Sequence, residues 1–557
     1  MKDSMEERRL LLAIALSLLV VTGYQLFFVP RPAPRPSPAP AVTAPPSPGP
    51  PAPPAADVPA PHPSPSASSA EPARVDSAER RVEATTRDLT LAFSNRGARL
   101  VSLRLNGYSD ARGRPEEMVP ASGPELRPLD VETGDAALDE QLRSALFLPS
   151  RDEMTGAGEL VFEYAAGGIS CRRLFHFQNQ GFLVGVEASV RRDGVSVPLR
   201  LVWGPGLANP TARETEVQGY VPPQAVARTP RGVERVAPKD LVSRRPHAEA
   251  AWAGVENHYF AALLVPSVPG PVELRGAVLP PGDDGKPRLG AVAAIALPVN
   301  QAVARVYVGP KDWDALHTLR LGLEEVVPVG DWLGPIVVPL LRLLRLVHAQ
   351  VGNYGWSIVA LTVLINLVMG PLRHMSIANG MKMAKLSPEM RAIQARYKGI
   401  RPLDPQYQNM QKEIGALYAR HGMSMGTQML VGCLPMLLTL PFLFAFYRVL
   451  TVAVELRGAS FLWIPDLSHR DPLFLTPVLL GVSMFVMQRM TPSTLDPAQQ
   501  RIMMMMPLML VAMFFAAPAG LNLYWLASNL CSIVQQGVTL RLLKAKEAHP
   551  REERRRA

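Results

Sequence analysis

Two groups of residues in this 557-residue chain could do chemistry. In "VENHYF", Glu256 and His258 lie two positions apart, so a strand would present a carboxylate and an imidazole on one face as an acid/base pair. The run that follows, "FAALLV", reads as a core strand, however, and a pair without a pocket is no active site. In "GWSIVALTVLINLVMGPLRH" (355–374), Asn366 sits near the middle of a segment otherwise apolar enough to cross a membrane. Hydrocarbon offers an amide no hydrogen-bond partner, so Asn366 must face protein or water. No P-loop, zinc-ligand spacing or nucleophile elbow occurs, and neither a cofactor nor a metal is expected.

The elements that position these residues follow from composition. Residues 10–29, "LLLAIALSLLVVTGYQLFFV", are apolar for about the ~20 residues a bilayer needs, and no Ala-x-Ala cleavage site follows, so 1–29 reads as an uncleaved anchor. Residues 30–72 carry 18 of the 56 prolines, which makes the segment 30–85 a semi-extended linker. From 86 to 325 short alternating or β-branched runs such as "ELVFEYAAGG" and "GFLVGVEASVRR", punctuated by Gly, Asn and Pro, predict an all-β sandwich. Only Cys171 of the three cysteines lies there, so no disulfide framework is expected.

Beyond Gly355 five apolar runs read as spans, at about 355–373, 428–450, 472–488, 502–517 and 521–540, the last two divided by "FAAPAGLN". With the anchor they make six. The connector 373–420 carries nine Lys or Arg against three acids, and the tail 541–557 seven against three; these excesses of six and four together equal the whole chain's net charge of +10. Positive loops stay in the cytoplasm, which puts both termini there and the β domain outside. Segment 331–352 carries Arg342, Arg345 and His348 along one helical stripe and reads as an amphipathic helix lying on the outer membrane surface. Within the connector (373–425 as a hairpin), one helix is predicted to start at Ser387–Pro388 and a second to run through "DPQYQNMQKEIGALYARHG". Their basic exterior, with Lys382, Lys385, Arg391, Arg396 and Lys398, suits an anionic partner such as ribosomal RNA or lipid headgroups.

At this point the chain resembles the YidC/Oxa/Alb family of membrane-protein insertases, in its Gram-negative form with a large periplasmic domain. The resemblance rests on "GPLRH", "GCLPMLLTLPFLFAFYRVL", "VELRGASFLWIPDLSHRDP", "LLGVSMFVMQRMTPSTLDPAQQRIM" and "PAGLNLYWLASNLCSIVQQ", in the same order as the family's anchor, tether, β domain and hairpin-bearing core. It implies a multi-pass α-helical inner-membrane protein whose five-span core, 353–540, holds a polar groove open to the cytoplasm. Asn366 occupies the position where most members carry a groove arginine. Thr362, Thr439, Tyr524 and Trp525 join it as groove residues, and Arg448 is a weaker candidate at the groove mouth. The implied partners are nascent membrane proteins, the Sec translocon with its accessory subunits, the ribosome and lipids, for a protein acting as a monomer. The linker and the surface helix predict a β domain mechanically separate from the core, with residues 90–310 dispensable for insertion. A transporter, or a membrane-anchored protein that binds or modifies sugars, is the alternative.

Overall fold

The computed structural model describes residues 73–548, apart from 111–112, 121–125, 209–219, 242–244, 280–287, 300–302, 331, 398–403, 422–440 and 492–496. The anchor, the linker up to residue 72, Thr439, Lys398 and the end of the basic tail lie outside the described residues.

Residues 81–310 form three antiparallel-rich sheets. The largest runs in the order Gly232–Val236, Gln224–Thr229, Trp252–Glu256, Phe260–Pro266, Val303–Pro310, Leu183–Arg192, Ile169–Phe177, Gly158–Ala166 and Leu148–Pro149. Five-stranded sheets built on Arg99–Ser109 and on Arg288–Leu297 complete the domain. Period-2 burial is plain in Arg81–Thr85, where Val82 and Ala84 are buried and their neighbours point outward. Phe260–Pro266, by contrast, is buried at every position. Phe260, Ala262 and Leu264 enter the sandwich core, while Ala261, Leu263 and Val265 join a second cluster made largely of helical residues. The all-apolar run "FAALLV" is explained by cover on both faces.

That cover corrects the expectation of a mechanically separate β domain. The helix α3 (Gly334–Val351) buries Val337, Leu340, Leu341 and Leu344 in the shared cluster. Its arginines pair with acids: Arg342 with Asp314 at 2.9 Å, and Arg345 with Asp312 at 3.0 Å, Asp314 at 2.9 Å and Glu455 at 2.6 Å. Asp312 caps α2 (Trp313–Thr318), which follows the last sandwich strand, and α1 (Ala136–Ser144) lies within the sandwich. Val454, from the segment just past the helix Pro441–Val452, is buried in the sandwich core itself.

The helical part continues with α4 (Tyr354–Val368), α5 (Gly370–Arg396) and α6 (Pro405–Arg420). After the undescribed stretch come α7 (Pro441–Val452), α8 (Leu475–Met490), α9 (Pro497–Phe514) and α10 (Ala519–Ala548). Among the described residues α3 is the one helix both long and apolar enough to cross a bilayer, and α4 with α5 qualifies as one span broken by a 59° bend. The expected helix start at Ser387–Pro388 is not found: α5 runs unbroken through both residues. Pro388 removes one hydrogen bond, but Leu386 and Ile393 on either side pack on Ile414, Leu417 and Tyr418 of α6, and this contact holds the helix together.

Candidate functional site

The site is built around α10. Its first N–H groups are satisfied by the loop between α7 and α8, with Ala519 N donating to His469 O at 2.7 Å and Gly520 N to Leu467 O at 2.8 Å. From Trp525 onward one stripe turns polar: Ser528, Ser532, Gln535 and Thr539 recur every three or four residues, with Asn529 and Gln536 beside them. Each reaches a neighbouring helix. Asn529 Nδ2 donates to Ser483 Oγ of α8 at 3.0 Å, and Gln536 Nε2 to Thr491 Oγ1 at 3.3 Å. On the other side Gln535 Nε2 donates to Asn366 O of α4 at 2.8 Å, Asn366 Nδ2 to Ser528 Oγ at 3.5 Å, and His374 Nδ1 meets Thr539 Oγ1 at 3.2 Å.

Between these helices lies a cavity of about 340 Å³. It is lined by Arg373, Ser376 and Ile377 of α5, Leu443 of α7, Met487 and Thr491 at the end of α8, and Tyr524, Trp525, Ser528, Asn529, Ser532, Gln535 and Gln536 of α10. Aromatic side chains close one end. Tyr524 stacks on Phe446 with centroids 4.1 Å apart, and Trp525 meets Phe514 edge-on at 4.8 Å. The outer helix faces are apolar and exposed, including Leu367, Val368, Val482, Leu508, Met509 and Val534.

The residues singled out from sequence divide accordingly. Tyr524 and Trp525 line the cavity. Asn366 is only 4% exposed and stands behind it, with Nδ2 donating to Thr362 O at 2.8 Å and Oδ1 without a hydrogen-bond partner. Thr362 is fully buried and bonds Ile358 O within its own helix at 2.6 Å. Arg448 is half-buried and does not border the cavity. Lys382, Lys385, Arg391 and Arg396 are exposed on α5, where Arg396 pairs with Glu413 at 2.8 Å. Arg373 and the stripe of α10 escaped the sequence reading. The serine and glutamine spacing in "ASNLCSIVQQGVTL" was the signal that could have found the stripe.

The supposed acid/base pair dissolves. The strand ends at Glu256, and His258 lies in the turn that follows, so the two share no strand face. Burial would raise the Glu256 carboxyl, yet Lys311 at 3.2 Å and Arg235 at 2.7 Å hold it below the usual carboxylate range. Burial, with Lys311 nearby, pushes His258 down to about 4. Both are structural groups of the sandwich. Among the described residues no cluster of three His, Cys, Asp or Glu could hold a metal ion.

Comparison with known proteins adds the following. The 60Kd inner membrane protein family matches residues 346–547, and the YidC periplasmic domain family matches residues 81–343. A membrane protein insertase YidC from Geobacter metallireducens is 32% identical over 505 residues, 86% of this chain and 89% of its own. One from Ralstonia nicotianae is 33% identical over 482 residues, 84% of each. Among solved structures, an active YidC insertase with its first transmembrane domain resolved is 19% identical with a TM-score of 0.34, covering 85% of this chain and 95% of its own. A galactose mutarotase-related enzyme from Lactobacillus acidophilus is 10% identical with a TM-score of 0.29, covering 41% of this chain and 97% of its own.

Proposed function

We infer how this chain works from one premise: it belongs to the YidC family of membrane protein insertases. It is an inner-membrane insertase with a periplasmic β domain, its substrates are nascent membrane proteins, and it is not an enzyme.

The chain spans the membrane six times, by the anchor at 1–29 and five core spans, with both termini in the cytoplasm. The cavity against α10 is a groove that receives the polar part of an incoming client while its apolar segment slides into lipid along the exposed helix faces. Asn366 and Thr362 form its polar back wall, and Asn366 holds the lining residues Ser528 and Gln535 in place. Thr439 and Arg448 are the remaining groove candidates in this reading. The helix 331–352 rests at the outer interface, a placement supported by Arg342 and Arg345 pairing with Asp312, Asp314 and Glu455 instead of entering hydrocarbon. The hairpin and the basic tail dock on the ribosome or anionic lipid. The β domain meets the Sec translocon and its accessory subunits, and one copy suffices for insertion.

One observation carries the groove: a cavity of about 340 Å³ whose largely apolar wall also carries the hydroxyls of Ser376, Thr491, Ser528 and Ser532 and the amides of Asn529, Gln535 and Gln536, among helices whose outer faces are apolar. No carboxylate lines it among the described residues, so a coupled transporter would lack its ion site. The test is reconstitution. Liposomes holding the purified protein, supplied with ribosomes translating a small two-span protein, should yield protease-protected product that empty liposomes do not. Equal protection in both would overturn the reading.

A further inference from the structure

We propose that Arg373 supplies the positive charge that receives acidic segments of a client, a charge that residue 366 of this chain cannot provide. The inference rests on the insertase reading above. Asn366 offers only dipoles, is almost wholly buried, and already has its amide committed to Thr362 O and Ser528 Oγ. Arg373 is the one cation lining the cavity among the described residues. Its position follows from the backbone. Pro371 has no N–H to continue the ladder of α4, and the chain turns through 59° between α4 and α5. Arg373, two residues past that proline, is brought against α10, where its guanidinium donates to Ser532 Oγ.

Two features make this more than a snorkelling surface charge. A guanidinium has five N–H donors, and among the described residues Ser532 is the one hydrogen-bond partner and no carboxylate lies within ion-pair distance. A cation with no counterion among the described residues, set among helices with apolar outer faces, has its greatest affinity for a carboxylate that arrives from outside. Around it stand neutral groups, Ser376, Ser528, Asn529 and Gln535, able to bond the second carboxylate oxygen or the peptide groups beside it. The charge serves only the acidic part of the client range, while the neutral lining serves the rest.

The experiment uses the full-length protein in proteoliposomes and two single-span clients that differ only in an Asp-rich or Asn-rich translocated tail. Arg373→Gln should lower insertion of the Asp-tailed client about tenfold and leave the Asn-tailed client within about twofold, the size of one lost charged hydrogen bond. Arg373→Lys should restore the wild-type ratio, since it keeps the charge without the fork. Equal losses for both clients would assign Arg373 to packing alone, and no loss for either would leave it no role; each result overturns the proposal. The discrimination should persist in vesicles of phosphatidylcholine alone. If it vanishes there, the guanidinium serves anionic headgroups and the proposal falls. If the wild-type protein inserts neither client, the insertase reading fails and takes the proposal with it, whereas insertion of both by wild type with equal treatment by Arg373→Gln sinks the proposal only.

Discussion

Arg457 and Glu116, 341 positions apart in the chain, form a 2.8 Å ion pair where the loop after α7 meets the β sandwich. Their side chains are only 10% and 7% exposed, and the same guanidinium lies 5.9 Å and 5.3 Å from the ring centres of Tyr259 and Phe260. A buried pair of this kind is costly to break from one side, because the remaining charge is stranded. Glu116→Gln should therefore cost about 3 kcal/mol in the unfolding of the full chain in detergent. Combined with Arg457→Gln it should cost less than the two single losses added, which a double-mutant cycle will show. The same clamp revises the expectation that residues 90–310 are dispensable. Deleting them removes Glu116, the Tyr259–Phe260 turn and the packing around Val454, so insertion per membrane-resident molecule should fall. Unchanged specific activity would show that the docking is passive.

The loop is pinned a second time at Gly355. A Cβ there would stand 2.1 Å from the Phe461 ring and 2.6 Å from its Cβ, and Trp356 meets that ring edge-on at 5.2 Å. Gly355→Ala should cost about 1–3 kcal/mol by overpacking, and Phe461→Ala in the same chain should recover part of it. Thermal unfolding of the two variants and their combination decides the point.

Asn366→Leu tests the back wall. The change keeps the number of side-chain heavy atoms, removes the unpartnered Oδ1, and deletes the bonds to Thr362 O and Ser528. Folding should hold, while insertion of clients with polar tails should drop about fivefold, the equivalent of one hydrogen bond near 1 kcal/mol. Liposome insertion normalised to protein content reads this directly.

His258 gives the sandwich an acid-sensitive spot. Its folded value of about 4 lies below the ordinary 6.5, so the unfolded chain binds the proton more readily. The stability attributable to it is complete above pH 6.5 and declines as pH falls toward 4, at up to about 1.4 kcal/mol per pH unit. In His258→Asn that part of the decline should disappear, visible as a shallower fall of Tm between pH 7 and 4.5 than in wild type.

Reversing Lys382, Lys385 and Arg391 to Glu should weaken co-sedimentation with ribosomes, and wild-type binding should fall steeply with salt. Binding that ignores salt would remove the electrostatic basis for docking.

The sandwich was legible because period-2 alternation survives wherever one face of a strand meets water, as in Arg81–Thr85. Its docking was not. Nothing local in "FAALLV" distinguishes a strand covered by a second sheet from one covered by helices, and Val454 looks like any residue of a connecting loop. Asn366 was visible as a polar residue in an apolar run, but a sequence does not say on which side of a helix its neighbour's serines stand. The stripe of α10 was legible in principle through its spacing. Arg373 was not, because its place depends on a bend whose angle no residue type encodes. Ser387–Pro388 misled for a related reason: the N-cap preference is worth about 1 kcal/mol, and the contacts of Leu386 and Ile393 with α6 outweigh it.

The unbroken run of α5 from Gly370 to Arg396 has a mechanical meaning. Its 27 residues make a rod of roughly 40 Å at ~1.5 Å per residue, with Arg373 near one end and the basic surface of the hairpin at the other. In the proposed reading, a tilt imposed at the hairpin end is carried along the helix to the guanidinium. Thermodynamic reciprocity then requires that a client seated against Arg373 change the grip of whatever holds the far end by the same factor. In the proposed reading the helix is a lever, with whatever the hairpin grips on one arm and the filling of the cavity on the other.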